Sequence, residues 1–161
     1  VGLLPDGELS ARLSETQIQF EAGDVVITSK LIDGTFPDYQ RVIPTGNDKK
    51  LVLDRQTFAQ AVDRVSTIST ERGRAVKLNI DADTVRLAVN NPDAGQADEE
   101  LPAEYSADPV EIGFNAKYLS EVLSKFPAGD ITVSLNDGGS PTLFSSHETP
   151  DYLAVLMPMR V

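Results

Sequence analysis

The stretch VEIGFNAKYLSEVLSKF, residues 110–126, combines the two patterns that decide the fold. Its first five residues, 110–114, are typical of a buried strand, and Asn115 is a favourable N-cap for a helix that continues to about Phe126. Four apolar residues fall on one face of that helix: Tyr118, Leu119, Val122 and Leu123. The stretch therefore predicts a strand followed directly by an amphipathic helix.

The same pattern occurs once before in the chain. Residues 50–53 (KLVL) predict a strand, Asp54 is an N-cap candidate, and the helix continues to about Val65. The apolar face of this first helix consists of Phe58, Ala61, Val62 and Val65. Strands are predicted after each helix, at 75–81, 84–89 and 96–104 and again at 129–135, 141–145 and 152–158.

Residues 48–161 therefore form two copies of a β-α-β-β-β unit in this interpretation. The predicted fold class is α+β, with two helices packed on antiparallel sheets. Between two of the strands, Asn136-Asp137-Gly138-Gly139 predicts a hairpin, because such steps tolerate positive φ.

The beginning of the chain has a different pattern. Residues 8–13, 16–21 and 25–31 predict a three-stranded antiparallel meander, which is too small to bury a core alone. Residues 32–44 (IDGTFPDYQRVIP) are a connector that is too apolar for a flexible linker, and the residues alone place the domain boundary near 45–47. The opening VGLLPDGE lacks the basic and apolar regions of a signal peptide, and we expect the natural N-terminus to precede it.

Composition limits the classes of function. The formal net charge of −11 argues against coating of nucleic acid by the whole surface, although it leaves room for a local basic face. The chain has no Cys, which excludes disulfides and thiolate chemistry. No run approaches the roughly 20 apolar residues of a membrane helix.

Catalytic patterns are weak. The single histidine, His147, lies in a polar turn, and the Asp81-Ala82-Asp83 step lacks the remainder of a calcium loop. There is no phosphate loop or nucleophile elbow. The carboxylates at 98–100 are interpreted as an acidic sheet edge. The sequence therefore predicts no enzyme, no metal and no cofactor.

Two surfaces remain open to two interpretations. The tail YLAVLMPMRV (152–161) is either a last core strand or a binding surface, since Met side chains suit adaptable contacts. The exposed helix faces, which carry Lys117, Glu121 and Lys125 on one helix and Arg55 and Arg64 on the other, are either solvated or a weakly basic surface for a polyanion.

Four stretches together resemble the C-terminal portion of the bacterial DNA polymerase III sliding clamp, the β subunit. In order, they are SKLIDGTFPDYQRVIP (29–44), NNPD (90–93), EIGFNAKYL (111–119) and YLAVLMPMRV (152–161). The resemblance covers essentially the whole chain. It implies that residues 1–37 are the last strands of the middle clamp domain and that 38–161 are the third domain, with the first domain and most of the second outside this sequence.

The resemblance implies a DNA-replication processivity factor without chemistry of its own. Two subunits form a ring that encircles and slides on duplex DNA irrespective of sequence, in the bacterial cytoplasm at the nucleoid and away from membranes. The DNA-facing residues implied are Arg55, Arg64, Lys117 and Lys125. The homodimer interface implied includes Thr67, Ile68, Asp98 and Glu99, and we expect a chain without the first domain to be monomeric.

The resemblance also implies a hydrophobic groove at the junction of the second and third domains. There the polymerase catalytic subunit, the clamp loader and repair proteins insert a short peptide with a Gln and terminal Leu/Phe residues. Residue by residue, the groove comprises Pro37, Arg41, Val42, Asn115, Tyr118, Gly138, Pro141, Val155, Leu156, Met157, Pro158, Met159 and Arg160. Two positions depart from the family: Gly73 replaces an aromatic of some relatives, and Leu156 a common Val. Because part of the second domain is not in this sequence, we expect the groove to lack one wall.

Two other functions compete with this hypothesis. One is a stand-alone β-rich peptide-binding adaptor that never encircles DNA. The other is a small hydrolase that uses carboxylates, which predicts metal-dependent turnover.

Overall fold

The computed structural model describes residues 7–35, 38–69 and 75–160. Two of the sequence positions singled out above, Pro37 and Gly73, lie outside these ranges. The chain divides into two compact units, Val1–Asp38 and Tyr39–Val161. None of the helices in the described ranges is long and apolar enough to cross a membrane.

The first unit is the predicted antiparallel meander. It consists of β1 (Ser10–Leu13), β2 (Gln17–Ala22) and β3 (Val25–Lys30), with β2 in the middle of the sheet. The β2–β3 turn uses Gly23 at a φ of 56°, a conformation that glycine adopts without strain. Ala22 is the one fully buried hydrophobic residue in the described part of this unit, while Leu13 is 73% exposed. The meander therefore has no core of its own.

The second unit contains the two predicted repeats. The first repeat is β4 (Lys49–Asp54), α1 (Arg55–Ser66), β5 (Ala75–Asp81), β6 (Thr84–Asn91) and β7 (Gly95–Pro102). The second repeat is β8 (Val110–Asn115), α2 (Ala116–Leu123), β9 (Asp130–Leu135), β10 (Thr142–Ser145) and β11 (Leu153–Leu156). A short 3₁₀ turn, Tyr39–Val42, precedes both repeats. The predicted α+β class and the duplicated order of elements are confirmed.

Both helices begin at the predicted caps. The Asp54 carboxylate accepts hydrogen bonds from the amide (2.7 Å) and hydroxyl (2.6 Å) of Thr57. The Asn115 side-chain oxygen accepts from the amides of Lys117 and Tyr118. Each cap satisfies amides that have no partner within the helix.

The second helix ends earlier than its apolar pattern predicts. It stops at Leu123 rather than Phe126, and the amide of Phe126 bonds the carbonyl of Leu123 in a tighter turn. Pro127 explains the difference, because the residue before a proline avoids the helical conformation. Proline also shortens two strands relative to prediction, since β7 ends at Pro102 and β11 ends before Pro158.

The two sheets exchange strands between the repeats. One sheet has the order β11-β10-β9-β4 and the other β7-β6-β5-β8, so the first strand of each repeat pairs with the second strand of the other. After its last strand each repeat returns to its own first strand, through a bridge of Glu104 with Val52 and an equivalent bridge of Met159 with Gly113. Each repeat therefore contributes its first strand to the sheet that contains the last three strands of the other repeat.

A single core lies between the sheets and the helices. Phe114 on β8 and Phe144 on β10 are both fully buried, and their rings meet edge to face at a centroid distance of 6.2 Å. These strands belong to different sheets, so the contact joins the two halves of the core. The helices supply the inward residues that the sequence predicts, including Phe58, Val62, Leu119 and Leu123.

Candidate functional site

An open groove with a volume of about 620 Å³ runs along one side of the second unit. One wall is the connector, residues 41–47, and the opposite wall combines the β9–β10 turn with β11 and the residue after it. Val42, Pro141, Val155 and Met157 give the groove apolar walls, and Arg41 adds a cation at one end. A concave apolar site with one charged group is suited to an extended peptide with hydrophobic anchors.

The connector wall is held in place by polar contacts at its end. The 3₁₀ turn leaves Val42 59% exposed toward the groove. The side-chain amide of Asn47 donates to the carbonyls of Ser134 (2.8 Å) and Pro141 (2.9 Å). Lys49 donates from Nζ to the carbonyl of Asn136 at 2.9 Å. The connector is therefore tied to the β9–β10 turn across the groove.

The opposite wall depends on strand alternation in β11. Leu156 pairs with Thr142 and is buried in the core, whereas Val155 pairs with Leu143 and lines the groove. Met157 follows the strand and is 61% exposed. The tail thus combines both interpretations offered by its sequence, because one set of side chains packs inward and the other forms a wall.

The last described residues leave β11 and cross to the other sheet. The amide of Met159 donates to the carbonyl of Gly113 on β8 at 2.8 Å. Two residues beyond Gly113, Asn115 caps α2, whose first turn carries Tyr118 with 54% of its surface exposed. Met159 is therefore bridged to β8 two residues before Asn115, and Tyr118 follows in the first turn of α2.

The β9–β10 turn is ordered by one carboxylate rather than by positive φ. No residue of 136–140 has positive φ, so the reason given for this hairpin was wrong although β9 and β10 do pair. Asp137 accepts hydrogen bonds from the amides of Gly139 and Ser140 and from the Ser140 hydroxyl. These bonds lower the pKa of the Asp137 carboxyl. Gly138 packs so closely on β8 that a Cβ there would overlap the carbonyl oxygen of Glu111.

The structure brings together only part of the predicted groove. Five predicted residues line it: Arg41, Val42, Pro141, Val155 and Met157. Gly138 and Met159 contact β8, whose last residue is Asn115, and Tyr118 is in the first turn of α2. Leu156 lies in the core, and Pro158 and Arg160 belong to the crossing tail. Sequence analysis missed further lining residues, namely Ile43, Pro44, Thr45, Gly46, Asn47, Asn136 and Ser140. For the connector residues the signal was its apolar, Pro- and Gly-containing sequence, from which the resemblance selected only Pro37, Arg41 and Val42. For Asn136 and Ser140 the signal was the predicted hairpin at 136–139.

The four cations predicted to face DNA have different surroundings. Arg64 makes a two-point ion pair with Glu99, and Arg55 donates from Nε to the carbonyl of Pro127 at 3.0 Å. Lys117 and Lys125 are exposed, and their side chains have no hydrogen bond or ion pair to the part of the chain that the structure describes. Among these four cations, only Arg64 therefore has its charge compensated by a carboxylate of the described residues.

The residues predicted for the dimer interface lie at one edge of the unit. Thr67 and Ile68 follow α1, and the carbonyl of Ile68 accepts a hydrogen bond from Asn91 at the end of β6. Asp98 and Glu99 are on β7, an edge strand. Their side chains point to opposite faces of the sheet, Asp98 toward Arg86 and Glu99 toward Arg64.

Among residues 7–35, 38–69 and 75–160, no group of three or more His, Cys, Asp or Glu side chains could hold a metal ion. His147 is exposed in the β10–β11 connection. The lack of enzymatic activity stays a prediction.

Comparisons with known proteins agree on one family. A family model described as "DNA polymerase III beta subunit, C-terminal domain" matches residues 40–160. The beta sliding clamp of Caulobacter vibrioides is 47% identical over 150 residues, which are 93% of this chain and 40% of that protein. The beta sliding clamp of Escherichia coli K12 is 34% identical over 97% of this chain and 43% of its own length.

A solved structure gives the same result in three dimensions. The sliding clamp (DNA polymerase III subunit beta) of Bartonella birtlesii, bound to griselimycin, superimposes with a TM-score of 0.86 at 52% identity, over 97% of this chain and 42% of that one. The chain therefore spans less than half the length of the relatives that it matches.

Proposed function

The chain belongs to the bacterial DNA polymerase III beta subunit family, the beta sliding clamps, and from that premise we propose that it is part of a DNA-replication processivity factor. In this proposal the whole protein closes a homodimeric ring around duplex DNA in the cytoplasm and slides on it without catalysing a reaction. It tethers the polymerase catalytic subunit, the clamp loader and repair proteins by their peptide motifs. Residues 38–161 act as its third domain, and residues 1–37 as the last strands of its middle domain.

The observation that carries the proposal is the groove of the second unit. Its walls place the apolar side chains of Val42, Val155 and Met157 around one cleft, with Arg41 beside them. Leu and Phe anchors of a bound segment gain affinity by filling such a cleft, while Arg fixes the segment's main chain or its carboxylates. Asn115, Tyr118, Met159 and Arg160 continue the binding surface along β8 and the start of α2.

Sliding requires contacts with DNA that are weak and independent of sequence. Exposed lysines provide such contacts, because each neutralises a phosphate without selecting a base. Lys117 and Lys125 have no competing partner in the described residues and therefore act as the principal phosphate contacts of this domain. Arg64 contributes less because the Glu99 carboxylate compensates its charge, whereas Arg55 keeps its charge and bonds the carbonyl of Pro127 through Nε alone.

Ring closure uses the β7 edge in this proposal. An edge strand presents unpaired main-chain groups, and β7 lies at the end of its sheet beside Thr67 and Ile68. Asp98 and Glu99 are paired with Arg86 and Arg64 of the same domain, so in this proposal they join the interface as members of ion pairs rather than as free negative charges.

The test is a titration of a labelled Gln-Leu-x-Leu-Phe peptide against the 161-residue chain and its Val155→Arg variant. Arginine at position 155 fills the groove with a charged side chain, so we expect saturable binding to the parent chain and at least tenfold weaker binding to the variant. Leu153→Arg is the matched control, since Leu153 is on the same strand but outside the groove. Equal affinities of the parent chain and Val155→Arg would exclude the groove.

A further inference from the structure

We propose that Asn47 is a positioning residue that sets the spacing between the two walls of the groove. The inference rests on the proposed peptide-binding function, and it deepens that function by naming the group that holds the groove open to a fixed width. Asn47 acts through the main chain of the opposite wall and through the apolar residues that this main chain carries.

The side-chain amide of Asn47 bridges two main-chain carbonyls, and we call this pair of hydrogen bonds the Asn47 bracket. Its Nδ2 donates to two carbonyl oxygens, at 2.8 Å to Ser134 on β9 and at 2.9 Å to Pro141 just before β10. Both hydrogens of the amide nitrogen are thereby used. The side chain is half-buried, and the acceptors lie 87 and 94 positions further along the chain. One side chain therefore joins the connector to β9 and to the residue that precedes β10.

The two carbonyls lie where the β9–β10 pairing stops. The β9–β10 pairing begins with Leu143 and Ser134, and Pro141 lies beyond it. Proline has no amide hydrogen, so the ladder cannot continue through position 141. The amide of Asn47 bonds one carbonyl on each side of the turn at this point, where the ladder itself does not continue.

The Asn47 bracket sets the distance between the walls of the groove because each of its two ends is continuous in sequence with one wall. Residues 41–46 come directly before Asn47 and form the connector wall, with Val42 and Arg41 at its far end. Pro141 leads into β10, which pairs with β11 and so fixes Val155. Lys49 adds one tie to Asn136, but it lies further from the connector wall and is on the strand itself. Loss of the Asn47 bonds therefore lets the connector move relative to β11.

Two substitutions separate donor loss from simple destabilisation. Asn47→Ala removes both donors, whereas Asn47→Asp keeps the shape but turns carboxylate oxygen toward two carbonyl oxygens. Because acceptor oxygens repel one another, we expect the groove geometry and the peptide affinity to change more in Asn47→Asp than in Asn47→Ala. Asn90→Ala is the matched control, because Asn90 is an exposed residue of β6 away from the groove.

The composition offers a direct probe of groove geometry. The chain contains two methionines, Met157 in the groove wall and Met159 on the tie to β8. Methyl labelling of methionine therefore gives two NMR signals, one from the groove wall and one from the contact between the tail and β8. In Asn47→Ala and Asn47→Asp we expect the Met157 signal to shift or broaden while the Met159 signal stays at its parental position.

The same variants are titrated with the Gln-Leu-x-Leu-Phe peptide. We expect about tenfold weaker binding for Asn47→Ala and a larger loss for Asn47→Asp, with parental affinity for Asn90→Ala. An unchanged Met157 signal in both Asn47 variants, or parental affinity in both, overturns the inference. If the parent chain itself binds no peptide, the proposed function fails, and the Met157 signal alone decides the positioning role.

Folding of the variants is controlled by amide hydrogen exchange of β5 and β6, two strands of the other sheet. If Asn47→Ala does not retain that protection, Asn47→Gln is used, which keeps the amide but displaces it by one methylene. A Met157 shift in Asn47→Gln supports the bracket, and a parental Met157 signal contradicts it.

Discussion

Arg64 and Glu99 form a two-point ion pair, with 2.9 Å from Nε to Oε2 and 2.6 Å from Nη2 to Oε1. The pair connects the last turn of α1 with the edge strand β7. It joins two surfaces that have separate roles according to the family resemblance. Arg64 was predicted to contact DNA, and Glu99 was predicted to lie in the subunit interface. A partner that contacts Arg64 or Glu99 therefore also affects the ion-pair partner of that residue on the other surface.

The ion pair predicts a low pKa for Glu99. The hydrogen bond from Arg64 holds the pKa of this carboxyl below its ordinary value. Because the folded-state pKa is lowered, the stabilisation is present above the unfolded-state pKa and is lost as pH falls through the folded one. Carboxyl-carbon NMR titration should show a Glu99 midpoint that rises in Arg64→Ala and lies between the two in Arg64→Lys. Identical midpoints in all three proteins would contradict the pair in solution.

The unequal surroundings of the cations predict unequal effects on DNA binding by the complete clamp. Lys117→Ala should lower the slope of log affinity against log salt concentration by about 1, since it removes a free phosphate contact. Arg64→Ala should change the slope less, because its charge is already compensated by Glu99. Filter binding over a range of salt concentrations measures both slopes. A larger effect for Arg64 than for Lys117 would refute the assignment.

The equivalent caps of the two helices predict a difference in pH dependence. Asp54→Ala and Asn115→Ala should each cost about 1 kcal/mol of unfolding free energy. The hydroxyl and amide of Thr57 lower the pKa of Asp54, so its contribution is present above the unfolded-state pKa and disappears as pH falls through the folded-state pKa. Asp54→Asn keeps a capping oxygen without titrating. Urea unfolding at neutral and acid pH should show the pH-dependent loss in the parent chain and a smaller one in Asp54→Asn.

Two neighbouring glycines predict opposite tolerance to alanine. In Gly138→Ala the new Cβ meets the main-chain oxygen of Glu111, so we expect a loss of about 1–3 kcal/mol in unfolding free energy. At Gly139 the nearest atom to a Cβ is Oδ1 of Asp137 at 3.6 Å, an ordinary contact, and Gly139→Ala should be close to neutral. Chemical denaturation compares the two. Equal stability of both variants would show that the turn does not pack on β8 as described.

Met157 and Leu153 provide a comparison along the groove wall. Met157→Ala should reduce the binding free energy of the Gln-Leu-x-Leu-Phe peptide by about 1–3 kcal/mol, because it removes an apolar side chain that lines the groove. Leu153→Ala alters an exposed residue of β11 that does not line the groove, and its affinity should stay parental. Isothermal titration calorimetry of both variants measures this difference. A larger loss for Leu153 would move the binding surface to the other end of the strand.

Local signals allowed most of the elements to be predicted. Asp54 and Asn115 are polar residues placed directly before an apolar helical period, and the amides that they satisfy lie two or three residues away. Helix starts are therefore encoded within a short window. The end of α2 was misplaced because its apolar spacing extends to Phe126, and the conformational effect of Pro127 outweighs that spacing.

Contacts between distant residues could not be predicted in this way. The pairing of β4 with β9 and of β8 with β5 has no trace in the periodicity of either strand. The Asn47 bracket and the close approach of Gly138 to Glu111 likewise join positions far apart in the chain. Resemblance supplied five of the residues that line the groove, but not Asn47, whose amide bonds main-chain carbonyls on the opposite side.

The exchange of first strands between the repeats has a consequence for either repeat taken by itself. One repeat alone would lack two strand partners. In a segment that contains only β8-α2-β9-β10-β11, β9 has no β4 to pair with and β8 has no β5. Two identical halves would present each other with the same vacancy and fill it reciprocally, as domain-swapped dimers do. In the present domain the two repeats are joined in one chain, and each supplies the strand that the sheet of the other would lack.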